Sequence, residues 1–203
     1  MKDIMSPEPR RIWTTSRKLI GNLIPLLLSL PFLALGIQAA VKDGLTVRSM
    51  IFLVAFLVVG WLGTALFGLP GNGSMKNEMG RRWHMDHAFS TAEKYFVGFA
   101  RPTYKGLLDA HEDVGFLVVS EDELEFFGSE LNYLMPKSLV KEVRYRANPH
   151  SWLGLGRFVS VEGQIDGKTV RMLIEPRESG ILIGNLAHSK KLRQRLREWA
   201  GLS

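Results

Sequence analysis

Two uncharged apolar runs near the start of the chain limit most strongly what it can fold into. They cover residues 19–41 and 49–69, and neither contains Lys, Arg, Asp or Glu. Each run has about the 20 residues with which an α-helix crosses roughly 30 Å of hydrocarbon. We therefore expect a transmembrane helical hairpin at residues 19–69 that carries the rest of the chain.

A cleaved signal peptide is the main alternative for the first run. Arg10, Arg11, Arg17 and Lys18 precede it, as the basic residues of a signal peptide would. The run is longer than the apolar core of about 7 to 15 residues that signal peptides have, and a second apolar run follows closely. The sequence therefore favours two retained spans.

The Lys and Arg residues that flank the two runs predict the orientation of the hairpin. Residues 1–18, predicted to form a basic tail, contain five of them, and the connecting loop has only Lys42 and Arg48. Those after the second run are Lys76, Arg81, Arg82 and Lys94. Because positive residues concentrate on the cytoplasmic side, we expect both termini in the cytoplasm and residues 41–48 outside.

Small residues recur every four positions within the runs. They are Gly36 and Ala40 in the first run and Gly60, Thr64 and Gly68 in the second. Small side chains let membrane helices approach closely, so we expect helix packing there, mainly within the hairpin, with a homo-oligomer as the other option. The lack of charged residues in the runs argues against a proton relay, ion pathway or transporter core.

The positive charge of the chain does not indicate a nucleic-acid-binding protein. The formal net charge is +6, but residues 71–203 contain nineteen Lys and Arg against seventeen acids, a net charge of only +2. Because nucleic-acid-binding domains carry clustered positive charge, we expect no nucleic-acid partner. The chain has no cysteine, which excludes thiol nucleophiles, thiolate metal ligands and disulfides.

Residues 70–94 are predicted to link the hairpin to a cytoplasmic domain. The sequence PGNGSMKNEMG at residues 70–80 is typical of a flexible or turn-rich exit from the membrane. Trp83 beside Arg81 and Arg82 is typical of an interfacial anchor, with the indole at headgroup level and the guanidinium groups on lipid phosphates.

His84, Asp86 and His87 follow within this linker. The two histidines are three residues apart, on one face of a helix. A metal site needs three or four converging ligands, and only two are evident, so we expect no metal and a solvated juxtamembrane segment.

The apolar period changes to that of strands from about residue 95. GFLVVSEDELEFFGSE predicts two strands that meet near residues 121–123, and Asp166-Gly167 is a hairpin signal. Further strands are predicted at residues 131–135, 139–145, 157–162 and 170–174. The helical spacing of Leu192, Leu196 and Trp199 predicts a C-terminal helix that ends at Gly201. The fold class is therefore α+β, with antiparallel strands closed by one helix.

The order of these segments resembles the membrane-anchored bacterial pleckstrin-homology-like (PH) and GRAM-type domains. The segments are YFVGFARP, GFLVVSEDELEFFG, YLMPKSLVKEVRY, SWLGLGRFVSVEG and KTVRMLIEPRE. Met135-Pro136 followed by Val143, and Gly154-Leu155-Gly156, match the family pattern. The resemblance covers residues 95–200 of a predicted domain at 95–203. It implies a bent, seven-stranded antiparallel sheet or barrel capped by the C-terminal helix, a binding or assembly role, and the bacterial inner (plasma) membrane.

No catalytic motif stands out in this domain. A strand pattern follows Gly154 and Gly156, whereas a phosphate-binding loop needs a helix there. The chain has no Gly-x-Ser-x-Gly elbow, and its five histidines show no local pairing with a serine and a carboxylate. Acidic residues at 112–113 and 121–123 are interpreted as solvated turns. We expect no enzymatic activity and no cofactor.

Basic residues crowd the C-terminal helix. They are Lys190, Lys191, Arg193, Arg195 and Arg197. Together with Arg81, Arg82 and Trp83 they are candidate contacts for anionic lipid, each worth about 1 kcal/mol at a membrane surface. The alternative, a solvated helix face that keeps the domain soluble, is the preferred interpretation of the residues on the C-terminal helix.

Two functions follow from these patterns. The first is a membrane-anchored, non-catalytic binding or scaffold module with an unidentified protein partner. The alternative is an accessory subunit or small enzyme of envelope metabolism, with a site between domain and membrane to which Trp83, His84, Asp86 and His87 contribute.

Overall fold

Two long apolar helices are followed by a seven-stranded antiparallel sheet and a C-terminal helix. The computed structural model describes residues 11–83, 92–106 and 109–202. The helices are α1 (Thr15–Asp43), α2 (Val47–Phe67), α3 (Asn72–Trp83), α4 (Pro149–Trp152) and α5 (Leu182–Ala200). The strands are β1 (Glu93–Ala100), β2 (Asp113–Val119), β3 (Glu123–Gly128), β4 (Asn132–Pro136), β5 (Val140–Arg146), β6 (Phe158–Ile165) and β7 (Lys168–Pro176).

Helices α1 and α2 are each long and apolar enough to cross a membrane. Each begins after a threonine, Thr14 or Thr46, whose side chain accepts a hydrogen bond from a backbone N–H of the first turn. Only 22% and 11% of their most apolar stretches are buried. The core helix of a soluble protein is mostly buried, so these helices do not have that character.

Small residues allow α1 and α2 to pack closely, although not all of those predicted take part. A Cβ added to Gly36 would lie 2.9 Å from Leu53 Cδ2. The closest approach to the α1 backbone is at Gly63, where an added Cβ would lie 2.9 Å from Pro25 Cα. At Gly60 the corresponding distance to Ser29 is an ordinary 3.6 Å.

The remaining predicted small residues have other neighbours. Ala40 is only partly buried, whereas Ala39 is buried. Thr64 is partly buried, and its hydroxyl donates to the backbone oxygen of Gly60 at 2.9 Å. Gly68 contacts Leu182 of α5. The C-terminal end of α2 therefore packs on the C-terminal helix as well as on α1.

Gly63→Ala is expected to destabilise the helix pair by about 1 to 3 kcal/mol, because the new methyl group must displace the backbone of α1. Gly60→Ala is the matched control. It has van der Waals room and gains up to about 1 kcal/mol of helix propensity. Thermal unfolding of the full-length protein in mild detergent, followed by far-UV circular dichroism, checks both. Equal melting temperatures for the two variants would contradict this account of the packing.

The seven strands form one open antiparallel sheet in the order β4-β3-β2-β1-β7-β6-β5. Strands β4 to β7 lie where the sequence predicts strands at residues 131–135, 139–145, 157–162 and 170–174. Asp166 and Gly167 have φ angles of 50° and 74°, so the predicted hairpin is made by two left-handed residues, as a type I′ turn requires.

The sheet is covered on two faces. Leu192, Leu196 and Trp199 of α5 pack on one face with Val97 and Phe99 of β1. The alternate β1 residue Phe96 packs on the other face with Met75 and Met79 of α3 and with Ile12 and Trp13. Because successive strand residues point to opposite faces, this division follows from the period of β1.

Helix α3 lies where the sequence predicts a flexible linker. The flexible or turn-rich segment predicted at residues 70–80 is largely helical, because Met75 and Met79 are spaced by four residues and fill the space beneath the sheet. The predicted tail at residues 1–18 also takes part in the fold from Ile12 onward. The predicted linker residues 84–91 lie outside the described residues.

The environment of Asp113 also differs from the sequence prediction. The sequence suggested a solvated turn at residues 112–113, but Asp113 is buried. Its carboxylate accepts hydrogen bonds from Ser129 Oγ at 2.5 Å and from the backbone N–H groups of Glu130 and Leu131 at 2.8 and 2.9 Å. It therefore holds the turn between β3 and β4, where the N–H groups have no strand partner.

Candidate functional site: a buried polar cluster between the helix pair and the sheet

A group of buried and partly buried ionisable residues lies near the N-terminal end of α1, where the helix pair meets the sheet domain. We call it the junction cluster, and its members are Lys18, Asp109, His111, His150, Glu175 and Arg177. His111, Glu175 and Arg177 are fully or almost fully buried. Buried charges are stable only when paired and hydrogen-bonded, so the partners of each group define what the cluster does.

Two glycines make room for the cluster. Gly98 of β1 pairs with Glu175 of β7 in the sheet register. The imidazole ring of His111 occupies the space where a Cβ of residue 98 would be. A Cβ at Gly156 would likewise overlap a carboxylate oxygen of Glu175. Gly154, with φ of 69°, serves the turn expected at Gly154-Leu155-Gly156, whereas Gly156 serves the cluster.

His111 lies between two carboxylates. Its Nδ1 is 2.6 Å from Asp109 Oδ1, and its Nε2 is 2.9 Å from Glu175 Oε2. Burial lowers the pKa of His111, but the two carboxylates outweigh burial and raise that pKa above its ordinary value. Only the imidazolium form can offer a proton at both nitrogens, so the geometry fits a cation between two anions.

The pKa values of the two carboxylates shift in the opposite direction, below their ordinary values. Burial alone would raise the pKa of Glu175, yet contacts with His111 and His150 lower it to about 2. For Asp109, too, burial is outweighed, here chiefly by His111, and its pKa is lowered. Both carboxylates are therefore charged at neutral pH.

Helix α4 supplies two more groups to Glu175. His150 Nδ1 lies 3.1 Å from Glu175 Oε2, and Asn148 Nδ2 donates to the same oxygen at 2.8 Å. Asn148 also caps α4 through a reciprocal pair of hydrogen bonds with Ser151. The short sequence Asn-Pro-His-Ser thus builds a capped turn that points an amide and an imidazole at one carboxylate.

Arg177 connects the cluster to α3 and to the N-terminal segment. Its Nε donates to Asn72 Oδ1 at 2.9 Å, and its guanidinium lies 4.2 Å from the ring centroid of Trp13. Burial lowers the pKa of Arg177, against the attraction of Asp109 and Glu175. Asn72 also donates to the backbone oxygens of Arg177 and Ser179.

The start of α1 is bound to the same place. Lys18 Nζ donates to the backbone oxygen of His111 and to Tyr104 Oη, both at 3.1 Å. Trp13 Nε1 donates to the backbone oxygen of His111 at 3.3 Å. The polar contacts therefore join α1, α3 and the sheet through a few residues near one point.

A small cavity of about 180 Å³ lies next to the cluster. Asn22 of α1 and Thr64 of α2 line it from the helix pair, and Asp109 and His150 line it from the sheet side. At this volume the cavity is smaller than the roughly 300 to 1,000 Å³ of most small-ligand sites.

The residues predicted to contact lipid are mostly engaged within the protein. Trp83 packs edge-on against Phe127, with ring centroids 4.9 Å apart, rather than extending as an interfacial anchor. Arg82 Nη1 lies 3.5 Å from the backbone oxygen of Ser129, and Arg81 is exposed. His84, Asp86 and His87 lie outside the described residues.

On α5, two of the five predicted basic residues contact other side chains of the domain. Arg193 lies over the ring of Tyr145, and Arg195 forms an ion pair with Glu93 at 2.6 Å. Arg197 is partly buried, and Lys190 and Lys191 are exposed. Lys190 follows the helix-pair contact at Leu182 by eight residues, which is about 12 Å along the helix. Most of these positive charges are therefore displaced from the C-terminal end of α2.

Among residues 11–83, 92–106 and 109–202, no group of three or more histidines and carboxylates has the arrangement of a metal site. In the junction cluster the ring nitrogens of His111 face Asp109 and Glu175 instead. The histidines and carboxylates of the cluster therefore pair with one another.

The stability of the protein is expected to depend on pH through this cluster. The raised pKa of His111 contributes stability that is complete below its ordinary value of 6.5 and is lost as pH rises through the folded value. The lowered pKa of Glu175 contributes stability that is complete above its ordinary value of 4.5 and is lost as pH falls toward about 2. The melting temperature should be highest from about pH 5 to 6.5 and should decline on the alkaline side.

His111→Gln should remove that alkaline decline, because glutamine does not titrate. His188→Gln, a histidine on α5 outside the cluster, is the control and should retain it. Melting temperatures measured across the pH range in detergent check both variants. An unchanged alkaline decline in His111→Gln would show that another group causes it.

A comparison with protein-family models and with curated proteins finds no match for this chain. The function is therefore argued from the geometry of the helices, the sheet and the junction cluster.

Proposed function

We propose that the protein is a membrane-anchored, non-catalytic binding or scaffold module. In this proposal α1 and α2 cross the bilayer, and the sheet is held in a fixed position at its cytoplasmic face. The observation that carries the proposal is the junction cluster, because its buried polar contacts bond the start of α1 and helix α3 to the sheet domain. A domain on a flexible tether would move relative to the helices and would not form such contacts.

The exposed surface of the helix pair supports the transmembrane part. Leu27 of α1 and Ile51 and Leu57 of α2 are among many large apolar side chains that the rest of the chain leaves uncovered. An apolar surface of this extent is unfavourable in water and favourable in lipid. The contact between Gly36 of α1 and Leu53 of α2 supports two retained helices rather than a removed leader.

The environment of His111 supports a non-catalytic role. A general base must reach the proton that it removes from a substrate. His111 is buried, and both of its ring nitrogens face carboxylates of the same chain. The cluster therefore suits the joining of structural elements better than proton transfer.

The sheet suits a binding or assembly module of the PH-like kind suggested by the sequence resemblance. Seven antiparallel strands with a C-terminal helix on one face agree with what that resemblance implies. Strands β4 and β5 form the two open edges of the sheet. Open edges and the groups beside them are where such a module would receive a protein partner.

Single-cysteine variants test the proposed orientation in the membrane, because the chain has no cysteine of its own. In right-side-out membrane vesicles, Leu45→Cys, in the exposed loop between α1 and α2, should react with a membrane-impermeant maleimide. Ile165→Cys, at the β6–β7 turn, should react only after the membrane is permeabilised. Labelling of Ile165→Cys in sealed vesicles would contradict the proposed orientation.

The cavity beside Asp109 and His150 favours one second function, that of an accessory subunit or small enzyme with a site at the junction. Asn22→Leu with Thr64→Val would remove polar groups from the cavity wall without touching the ion pairs. If this double variant restores a deletion strain as well as the wild-type chain does, the cavity is not the functional site.

A further inference from the structure

Exposed apolar side chains on the sheet domain are concentrated in two short segments. Among residues 92–106 and 109–202 the exposed large hydrophobic residues are Leu134, Trp152, Leu153, Ile165, Ile181 and Ile183. Four of these six belong to α4 with the residue after it, or to the start of α5. Trp152 is 88% exposed, which is unusual for so large an apolar ring.

Both segments are attached to α2. The backbone oxygen of Leu153 accepts a hydrogen bond of 2.8 Å from Trp61 Nε1. Leu155 and Leu182 pack with Ala65 and Leu69 in a small buried cluster. The exposed side chains next to these contacts are therefore continuous with the lipid-facing surface proposed for the helix pair.

The hydrogen bond from Trp61 to Leu153 fixes where the segment with Trp152 and Leu153 lies along the axis of α2. Trp61 precedes Phe67, the last residue of α2, by six residues, which is about 9 Å along the helix axis. Leu62 and Leu66 are exposed apolar residues in that last part of α2. The segment that carries Trp152 and Leu153 therefore lies level with part of the exposed apolar surface of α2.

Positive charges lie beside this apolar segment. Arg157 lines a surface hollow together with Ser151 and Gly154, and so does Arg146, which forms an ion pair with Glu162 at 2.6 Å. The guanidinium of Arg157 lies 3.9 Å from the ring centroid of Tyr145, and its buried Nε has no hydrogen-bond partner. An apolar insertion flanked by arginines matches the apolar and phosphate layers of a leaflet.

We propose that the exposed side chains of Trp152 and Leu153, at the end of α4, insert into the membrane beside α2, while Asn148 and His150 remain bonded to Glu175. Its partner is the anionic inner leaflet of the bilayer that α1 and α2 cross, so the inference rests on the proposed transmembrane placement. The insertion gives the sheet domain a third membrane contact besides the two helices. It also assigns lipid contact to α4 rather than to the basic residues of α5.

Depth measurements on three single-cysteine variants test this inference. Trp152→Cys is the probe position, Leu57→Cys on the exposed face of α2 is the deep reference, and Ile165→Cys is the aqueous control. Ile165 and Leu153 are both 45% exposed, but Ile165 lies at the far end of β6, seven residues or about 23 Å from Phe158. Each full-length variant carries an environment-sensitive fluorophore on its cysteine, in vesicles of phosphatidylcholine and phosphatidylglycerol.

The fluorophore at residue 152 should emit at shorter wavelength than that at residue 165 and should be quenched by lipids with brominated acyl chains. The label at residue 165 should be quenched by iodide in the water. Iodide quenching at residue 152, with residue 57 quenched by brominated lipid, would overturn the insertion and leave the anchor intact. Iodide quenching at residue 57 would overturn the anchor itself. A label at residue 152 that neither agent quenches would point to cover by a second copy or another protein, and would also overturn the insertion.

Discussion

Arg177→Met is expected to destabilise the protein by about 3 to 5 kcal/mol, because it leaves Asp109 and Glu175 buried with less compensating charge. The methionine keeps much of the volume over Trp13 but loses the hydrogen bond to Asn72. For a chain of this size such a loss lowers the melting temperature by about 10 °C or more. Thermal unfolding in mild detergent measures it.

Arg171→Met is the matched control, on the same stretch of chain. Arg171 pairs with a glutamate, since its Nε lies 3.3 Å from Glu162 Oε2, and its side chain is partly exposed. Ion pairs open to solvent contribute at most about 1 kcal/mol. Equal melting temperatures for Arg177→Met and Arg171→Met would mean that the junction cluster does not stabilise the protein.

Gly98→Ala is expected to have the second large effect, of about 3 kcal/mol. The new methyl group occupies the space of the His111 ring, so it must displace that ring from Asp109 and Glu175. Both the overpacking and the broken ion pairs are destabilising. Gly80→Ala on α3, where an added Cβ meets nothing within 4 Å, should be tolerated.

A double-mutant cycle separates the ring contact from any general effect of alanine in β1. In a His111→Ala background the ring is gone, so Gly98→Ala should cost much less than in the wild-type chain. Unfolding free energies of the four proteins in detergent give the coupling. Additive costs would contradict the proposed contact between residue 98 and the ring.

Much of the sheet could be predicted because its information is local. The alternation of Leu124 and Phe126, the Asp-Gly pair at residues 166–167 and the spacing of Leu192 and Leu196 each specify an element within a few residues. The helix pair was evident for the same reason, since the length of an apolar run is a local property.

Helix α3 could not be predicted in this way. Glycine and asparagine in residues 70–80 favour turns, and only burial of Met75 and Met79 against Trp13 and Phe96 outweighs that preference. Those partners lie far along the chain, so the tertiary contact decides the local structure. The same is true of Asp113, whose partners belong to the next turn.

The junction cluster was missed because its members are far apart in the sequence. Asp109 and His111 are close together, but Glu175 and Arg177 come from the end of β7 and Lys18 from α1. The local pairing of His111 with Asp109 includes no serine, so it matches no catalytic pattern in the sequence. One signal was present: Gly98 within β1 and Gly156, two residues before β6, mark a close approach of other groups.

The distance between the outer end of the helix pair and the far end of the sheet tests the central claim most directly. Spin labels on Val41→Cys and Ile165→Cys, both at exposed positions, report it by double electron-electron resonance in lipid nanodiscs. A sheet fixed to the anchor by the junction cluster should give one narrow distance distribution, which Arg177→Met should broaden. A broad distribution in the otherwise wild-type chain would mean that the domain moves on a flexible tether, and would contradict the account.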